Sequence, residues 1–157
     1  MSGFGQPIRV NWIAPDAFWF SNAPQTVADI RGPLAAQAIP KIIAAIDNYA
    51  YAKFGDYRVW PGPNSNTFTA YVGRQVPELR MDLPVTAIGK DYPINGSLVD
   101  RTPSGTGYQF SMLGVLGLTM AREEGIEMNL LGLSFGIDFL RPALKLPFIG
   151  RLGVSQT

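Results

Sequence analysis

Over residues 108–120 the large apolar side chains hold one parity: Tyr108, Phe110, Met112, Leu116, Leu118 and Met120. Gln109, Ser111 and Thr119 hold the other. A period of two is the pattern of a strand with one buried face, because successive side chains leave a pleated backbone on opposite sides. Arg122-Glu123-Glu124-Gly125 then makes a suitable turn, with glycine for a left-handed position. Beyond it Leu131, Leu133, Phe135, Ile137 and Phe139 share one side, and Gly132, Ser134, Gly136 and Asp138 the other. Ile126, Met128 and Leu130 fall on the opposite count, so the alternation slips at Leu130-Leu131, where a β-bulge would absorb the extra residue. The pattern predicts a long antiparallel hairpin with its apolar side inward. Its small residues predict a bend in a closing, barrel-like sheet.

Such a sheet needs a second layer, and two stretches have helical spacing. From Pro33 onward Ile39, Ile42, Ile43, Ile46 and Ala50 recur at intervals of three and four, with a kink or restart expected at Pro40 and the isoleucine stripe facing the sheet. The second helix follows Pro61-Gly62-Pro63, where two fixed φ angles flank a permissive residue and stop a strand over 57–60. Asn64 or Ser65 can cap this helix, whose buried face is Phe68, Tyr71 and Val72. Residues 7–13 and 18–20 read as extended pieces that carry Trp12, Phe18 and Trp19 into the core, and 27–31 as a further short strand. Residues 78–100 read as a long ordered loop, and 141–157 as an extended tail closing over the core. The fold class is α+β, a single domain over 1–157.

Composition closes off several mechanisms. The 157 residues contain no Cys and no His, so thiolate nucleophiles, zinc–cysteine sites and a Ser-His-Asp triad cannot be assembled from this chain. A metal site would need carboxylates and carbonyls, yet no calcium or magnesium loop spacing occurs, nor a glycine-rich nucleotide motif; no metal and no cofactor are expected. A net charge of +1 gives no long-range field for nucleic acid. The first nine residues lack a signal-peptide pattern, and the apolar run over 108–120 is too short for a spanning helix.

The turn at Trp60 is where chemistry would sit. Ser65 falls at a helix N-terminus, where the dipole favours negative charge and the N–H groups of Ser65 and Asn66 can hold an oxyanion. A serine hydroxyl still needs a base, and without imidazole the substitute is Lys90, in Gly89-Lys90-Asp91. The competing explanations are plain ones. Asn-Ser before an apolar helical run is an ordinary cap, and Lys90 beside Asp91 is a solvated ion pair. For binding, Trp60 offers a wall, and Asn64, Asn66 and Asp91 offer polar contacts.

Several stretches are specific enough to carry a resemblance: Asp16-Ala17-Phe18-Trp19-Phe20, Ile30-Arg31-Gly32, the run from Tyr57 through Pro61-Gly62-Pro63-Asn64-Ser65-Asn66-Thr67 to Phe68, Ala87-Ile88-Gly89-Lys90-Asp91-Tyr92, Glu123-Glu124-Gly125 with Asn129-Leu130-Leu131-Gly132-Leu133, and Arg141-Pro142-Ala143-Leu144-Lys145-Leu146-Pro147. Through them the chain resembles an uncharacterised bacterial family, domain of unknown function 3750. The resemblance implies relatives with an upstream apolar anchor and a histidine-bearing segment, hence membrane contact and an envelope location for those relatives, with this chain lacking that upstream segment. Asn64-Ser65-Asn66-Thr67-Phe68 is also similar to the Asn-Cys-Asn-x-Phe segment of circularly permuted papain-like proteins, including desumoylating peptidases, with Ser65 in the nucleophile's place.

Three functions stay open on these residues. The first is a non-catalytic, degenerate papain-like module holding a peptide, acyl chain or protein partner beside Ser65. The second is a weak serine hydrolase or acyl transferase using Ser65 and Lys90. The third is a structural piece completed by another segment or by a second copy in a homo-oligomer.

Overall fold

The alternating run over 108–120 is folded back on itself, and so is the next one. The computed structural model describes residues 7–9, 13–14, 17–18, 21, 23–24 and 26–154. Within them seven strands, β1 (Val99–Arg101), β2 (Gly107–Met112), β3 (Leu116–Ala121), β4 (Gly125–Leu130), β5 (Leu133–Asp138), β6 (Ala143–Leu146) and β7 (Gly150–Gly153), form one antiparallel sheet in chain order. The sheet does not close into a barrel, so β1 and β7 are both edges. The expected bulge at Leu130-Leu131 is instead a two-residue turn: Leu130 pairs with Leu133, and Leu131 and Gly132 have φ of 54° and 86°. Leu113, Gly114 and Val115 make a three-residue turn between β2 and β3, with Leu113 and Gly114 again left-handed at φ of 52° and 72°. The expected long hairpin is therefore a meander, and the tail expected to close over the core supplies β6 and β7.

Two α-helices accompany the sheet, α1 (Gly32–Asp47) and α2 (Ser65–Gln75), with a single 3-10 turn at Pro77–Leu79. Pro33 starts α1, and the helix continues through Pro40 without a restart. Its isoleucine stripe does not face the sheet. α1 lies beside α2, burying Ala38 and Ala45 while Ile39 and Ile43 stay exposed, and Tyr49 just beyond it meets the rings of Phe68 and Tyr71 edge-on or tilted. Small alanines let two helices approach closely, which isoleucines on that side would prevent. A compact apolar cluster of Ala70, Met81, Leu83 and Ala87, with Ala28 and Leu79 against it, ties α2 to the segment that follows.

Several expectations at the N-terminal end need correction. Residues 27–31 and 57–60 form no strand, and Phe18 is exposed. Arg58 N–H donates to the carbonyl of Pro63, which makes that stretch the arm of a turn. Trp12 and Trp19, like residues 10–11 of the extended piece over 7–13 and residue 20, lie outside the described residues.

The largest departure concerns which side of the sheet is covered. Alternation is as read, but the polar parity is buried and the apolar parity faces out. Across the sheet the register aligns Asp100, Gln109, Thr119, Glu127, Gly136, Lys145 and Arg151 in one inner row. The cause lies beneath the sheet, where Arg74, Asp82, Lys90 and Asp91 are all buried. A buried charge is tolerated only when paired and hydrogen-bonded, so the strand side that meets these groups must itself be polar. The inner glycines make room for them: a Cβ at Gly117 would stand 2.7 Å from Asp91 Oδ2, and one at Gly136 2.8 Å from Glu127 Cγ.

Candidate functional site

The turn before α2 is built by Asn64. Its side-chain oxygen accepts from the N–H groups of Asn66 and Thr67, and Thr67 Oγ1 accepts from Asn64 N–H, completing a capping box. Its Nδ2 donates to the carbonyls of Val59 and Ile88, both at 3.0 Å, so one side chain joins the arm before the turn, the helix start and the loop at 88. Gly62 has φ of 137°, and a Cβ there would meet Thr67 Oγ1 at 2.9 Å and the Tyr92 ring at 3.1 Å. No larger residue fits. The Trp60-Pro61 and Gly62-Pro63 bonds are both cis.

Asn64, not Ser65, is the cap. Ser65 is the first residue of α2 and is exposed, and its hydroxyl makes no hydrogen bond among the described residues. Lys90 is buried and its Nζ is 2.6 Å from Glu127 Oε2 and 2.8 Å from the Leu83 carbonyl it donates to. It is neither beside Ser65 in a hydrogen bond nor solvated with Asp91. Asp91 is buried as well, accepting from Asn129 Nδ2 at 2.6 Å and Ser111 Oγ at 3.2 Å. Asn66 Nδ2 donates to the Ile88 carbonyl, at the loop next to Ser65. Trp60 is half exposed and donates from Nε1 to the carbonyl of Leu131.

That last bond joins the turn to one end of the sheet. A Cβ on Gly132 would lie 3.1 Å from both Ile88 Cγ2 and Trp60 Nε1, and one on Gly114 would lie 3.2 Å from the Pro61 carbonyl oxygen. The β2–β3 and β4–β5 turns therefore abut the Trp60 segment. Val59, Trp60, Ile88, Leu113 and Leu131 are all exposed apolar residues on the segments that meet near the start of α2. Leu113 and Leu131 are 60% and 59% exposed at φ of 52° and 54°. Turns of this type prefer Asn or Asp before Gly, and a bulky residue held left-handed costs about 1–2 kcal/mol. Neither burial nor backbone preference accounts for leucine at these tips.

A second feature lies under the sheet. Lys145 Nζ stands 2.9 Å from Glu127 Oε1 and 3.3 Å from both carboxylate oxygens of Asp82, so Glu127 bridges Lys145 and Lys90. Asp82 opens onto a cleft of about 1130 Å³, also lined by Arg80, Glu123, Arg141, Lys145 and Arg151. Burial pushes the Asp82 carboxyl up to about 6 against the pull of Lys145 and Lys90. Burial also works to raise Glu127, but the two lysines outweigh it and hold that carboxyl below the ordinary range. This network escaped the sequence because its members are far apart in the chain; an acidic and a basic residue on the polar parity, Glu127 and Lys145, were its one visible sign. Among the described residues no group of acidic side chains has the arrangement of a metal site, and no helix is long and apolar enough to cross a membrane.

The linkage has a definite sign. A carboxyl whose folded pKa is raised binds its proton more tightly in the folded state, so its contribution to stability falls as pH rises from the ordinary 3.8 to about 6. At ~1.4 kcal/mol per pH unit that loss is on the order of 3 kcal/mol. Glu127, and Asp138 held down by Arg141 N–H and Arg151 against its own burial, act oppositely, losing stability as pH falls through their folded values below the ordinary range. Denaturation midpoints are expected to fall between pH 4 and pH 6, and Asp82→Asn to flatten that fall. An unchanged slope in Asp82→Asn would remove Asp82 from the account.

The family described as protein of unknown function DUF3750 matches residues 1–92, more than half of the chain. The chain belongs to that family. In this DUF3750 protein the match takes in α1, the Trp60 turn, α2 and the loop through Lys90 and Asp91, and it ends before β1. No curated protein and no solved structure matches the chain.

Proposed function

We propose that this DUF3750 protein is a non-catalytic module that holds an apolar or amphipathic ligand, such as an acyl chain or a peptide, against the patch beside Ser65. The carrying observation is the pair of exposed leucines, Leu113 and Leu131, kept left-handed at turn tips, the Leu131 turn against Trp60 and the Leu113 turn against Pro61. Residues that cost stability without being buried are those a ligand would reward. In this reading Trp60 is the wall, Asn66 and the free Ser65 hydroxyl are polar contacts, and Asn64 positions them without touching the ligand. The likeness of Asn64-Ser65-Asn66-Thr67-Phe68 to a papain-like segment supports a helix-start site that lacks a base. Lys90 supports the same view, since Glu127 and Leu83 already occupy its ammonium group.

The serine hydrolase reading is tested directly with a fluorophosphonate probe, which is expected to leave Ser65 unlabelled; labelling abolished by Ser65→Ala would reverse the ranking. For binding, Leu131→Asn is the informative variant. It creates Asn-Gly in a turn that favours it, so stability should rise by about 1 kcal/mol while affinity for a fluorescent acyl-chain probe falls tenfold or more. Trp60→Ala should weaken the probe similarly, and Met120→Lys, on the outer sheet face, should not. Equal affinity in wild type and Leu131→Asn would sink the proposal.

A further inference from the structure

The outer face of the sheet carries three rows of apolar side chains. One runs Tyr108, Met120, Ile126, Ile137, Leu144 and Leu152. A second runs Val99, Phe110, Leu118, Met128 and Phe135, and a third Met112, Leu116, Leu130 and Leu133. Most of these side chains are exposed, and Arg101 at the β1 corner, set over the Tyr108 ring at 5.9 Å, is the charged residue of the rows. At ~4.8 Å between strands and ~3.3 Å per residue, seven strands of three to six residues give a face of about 550 Å² in projection. That is the upper end of the largest apolar patches on monomers, which are often functional.

We infer that this face is covered by a second copy of the chain, packed sheet on sheet as a two-fold dimer. Three observations select that occupant. The projected area, about 550 Å² before the relief of the side chains is counted, is of the order of the ~800 Å² per partner of a stable interface. The face is self-complementary in charge, because an apolar centre with its one cation at a corner strands no buried charge when turned on itself. Its rows of Leu, Ile, Met and Phe have the make-up of a sandwich interior, where aligned sheets interdigitate about 10 Å apart. A bilayer fits less well, because lying in lipid would leave the β1 and β7 edges without hydrogen-bond partners. The inference concerns a surface separate from the patch beside Ser65 and does not depend on the ligand proposed there.

The test is the solution mass of the full chain by sedimentation velocity and light scattering. A discrete species of twice the 17.1 kDa chain mass is expected across micromolar concentrations. Met128→Lys, at the centre of the face, should halve that mass with circular dichroism unchanged, while Leu131→Asn should leave it intact. Because the chain has no cysteine, Met128→Cys provides a second measure that does not rely on a destabilising charge. A bis-maleimide that spans about 10 Å or more, the sheet separation of a sandwich, should convert it to a covalent dimer, and Ile43→Cys, exposed on α1, should stay monomeric. A monomeric wild type, a polydisperse aggregate, or a Met128→Cys variant that does not cross-link would overturn the dimer. Monomers that float with phosphatidylcholine vesicles, and lose that property in Met128→Lys, would assign the face to lipid instead.

Discussion

Replacing Glu127 with alanine is expected to lower the free energy of unfolding by about 3–5 kcal/mol, the largest single-site effect foreseen for this chain. Glu127 is nearly inaccessible and its two carboxylate oxygens stand 2.6 Å from Lys90 and 2.9 Å from Lys145. Without it two buried ammonium groups would share Asp82, whose carboxyl is already pushed up to about 6 by its own burial. The cost comes from the stranded charge more than from lost attraction, and that distinction is measurable. Glu127→Leu combined with Lys90→Met removes one charge of each sign, leaving Lys145 opposite Asp82, and should recover much of the loss. Urea denaturation of the single and double variants gives the comparison. A drop of less than about 1 kcal/mol in Glu127→Ala would place these groups in contact with water after all.

Asn64→Ala should cost about 2–4 kcal/mol, more than the ~1 kcal/mol of an ordinary helix cap. The excess comes from the other end of the side chain. Nδ2 donates to the Val59 and Ile88 carbonyls, and although Ile88 keeps Asn66 as a donor, Val59 loses its donor from the cap. Asn64→Asp separates the two roles: the carboxylate retains the capping acceptor at a helix N-terminus, where negative charge is favourable, but cannot donate. A smaller loss for Asp than for Ala is expected, with the remainder measuring the donated bonds. If alanine costs only what a plain cap does, the carbonyl contacts contribute nothing. The same variants bear on the proposed ligand patch, because Asn64 sets the position of Trp60 relative to α2.

How far the residues foretold this arrangement differs by region. The α+β class and antiparallel pairing were legible in the period-two runs, and the second helix was legible in Asn64 followed by an apolar spacing. Turns hidden inside the apolar runs were not. Leu113 and Leu131 are poor turn formers, so nothing marked Leu113-Gly114 and Leu131-Gly132 as reversals beyond their glycines, and the parity slip at Leu130-Leu131 looked like a bulge. The burial of the polar parity was also out of reach, because it is decided by Asp82, Lys90 and Asp91 arriving from a loop tens of residues upstream. Local pattern reports which side chains share a face. It does not report which face is covered. At the candidate site, the helix-terminal placement of Ser65 was foreseen, whereas Lys90 is held by Glu127, 37 positions along the chain.

The order of the strands bears on how the molecule acquires its shape. Each strand pairs only with its neighbours in the chain, through connections of a few residues, so every step of sheet growth closes a short loop at small entropic cost. Such a meander can grow hairpin by hairpin, at the rapid end of rates for β-rich proteins. The ionic contacts have the opposite character: Lys145 reaches Asp82 across 63 positions. Sheet assembly is therefore expected to run ahead of charge pairing, with the polar side of the growing sheet still hydrated when α2 and the loop behind it dock. Expulsion of that water, and not strand pairing, would then be the step that commits the chain to its final form.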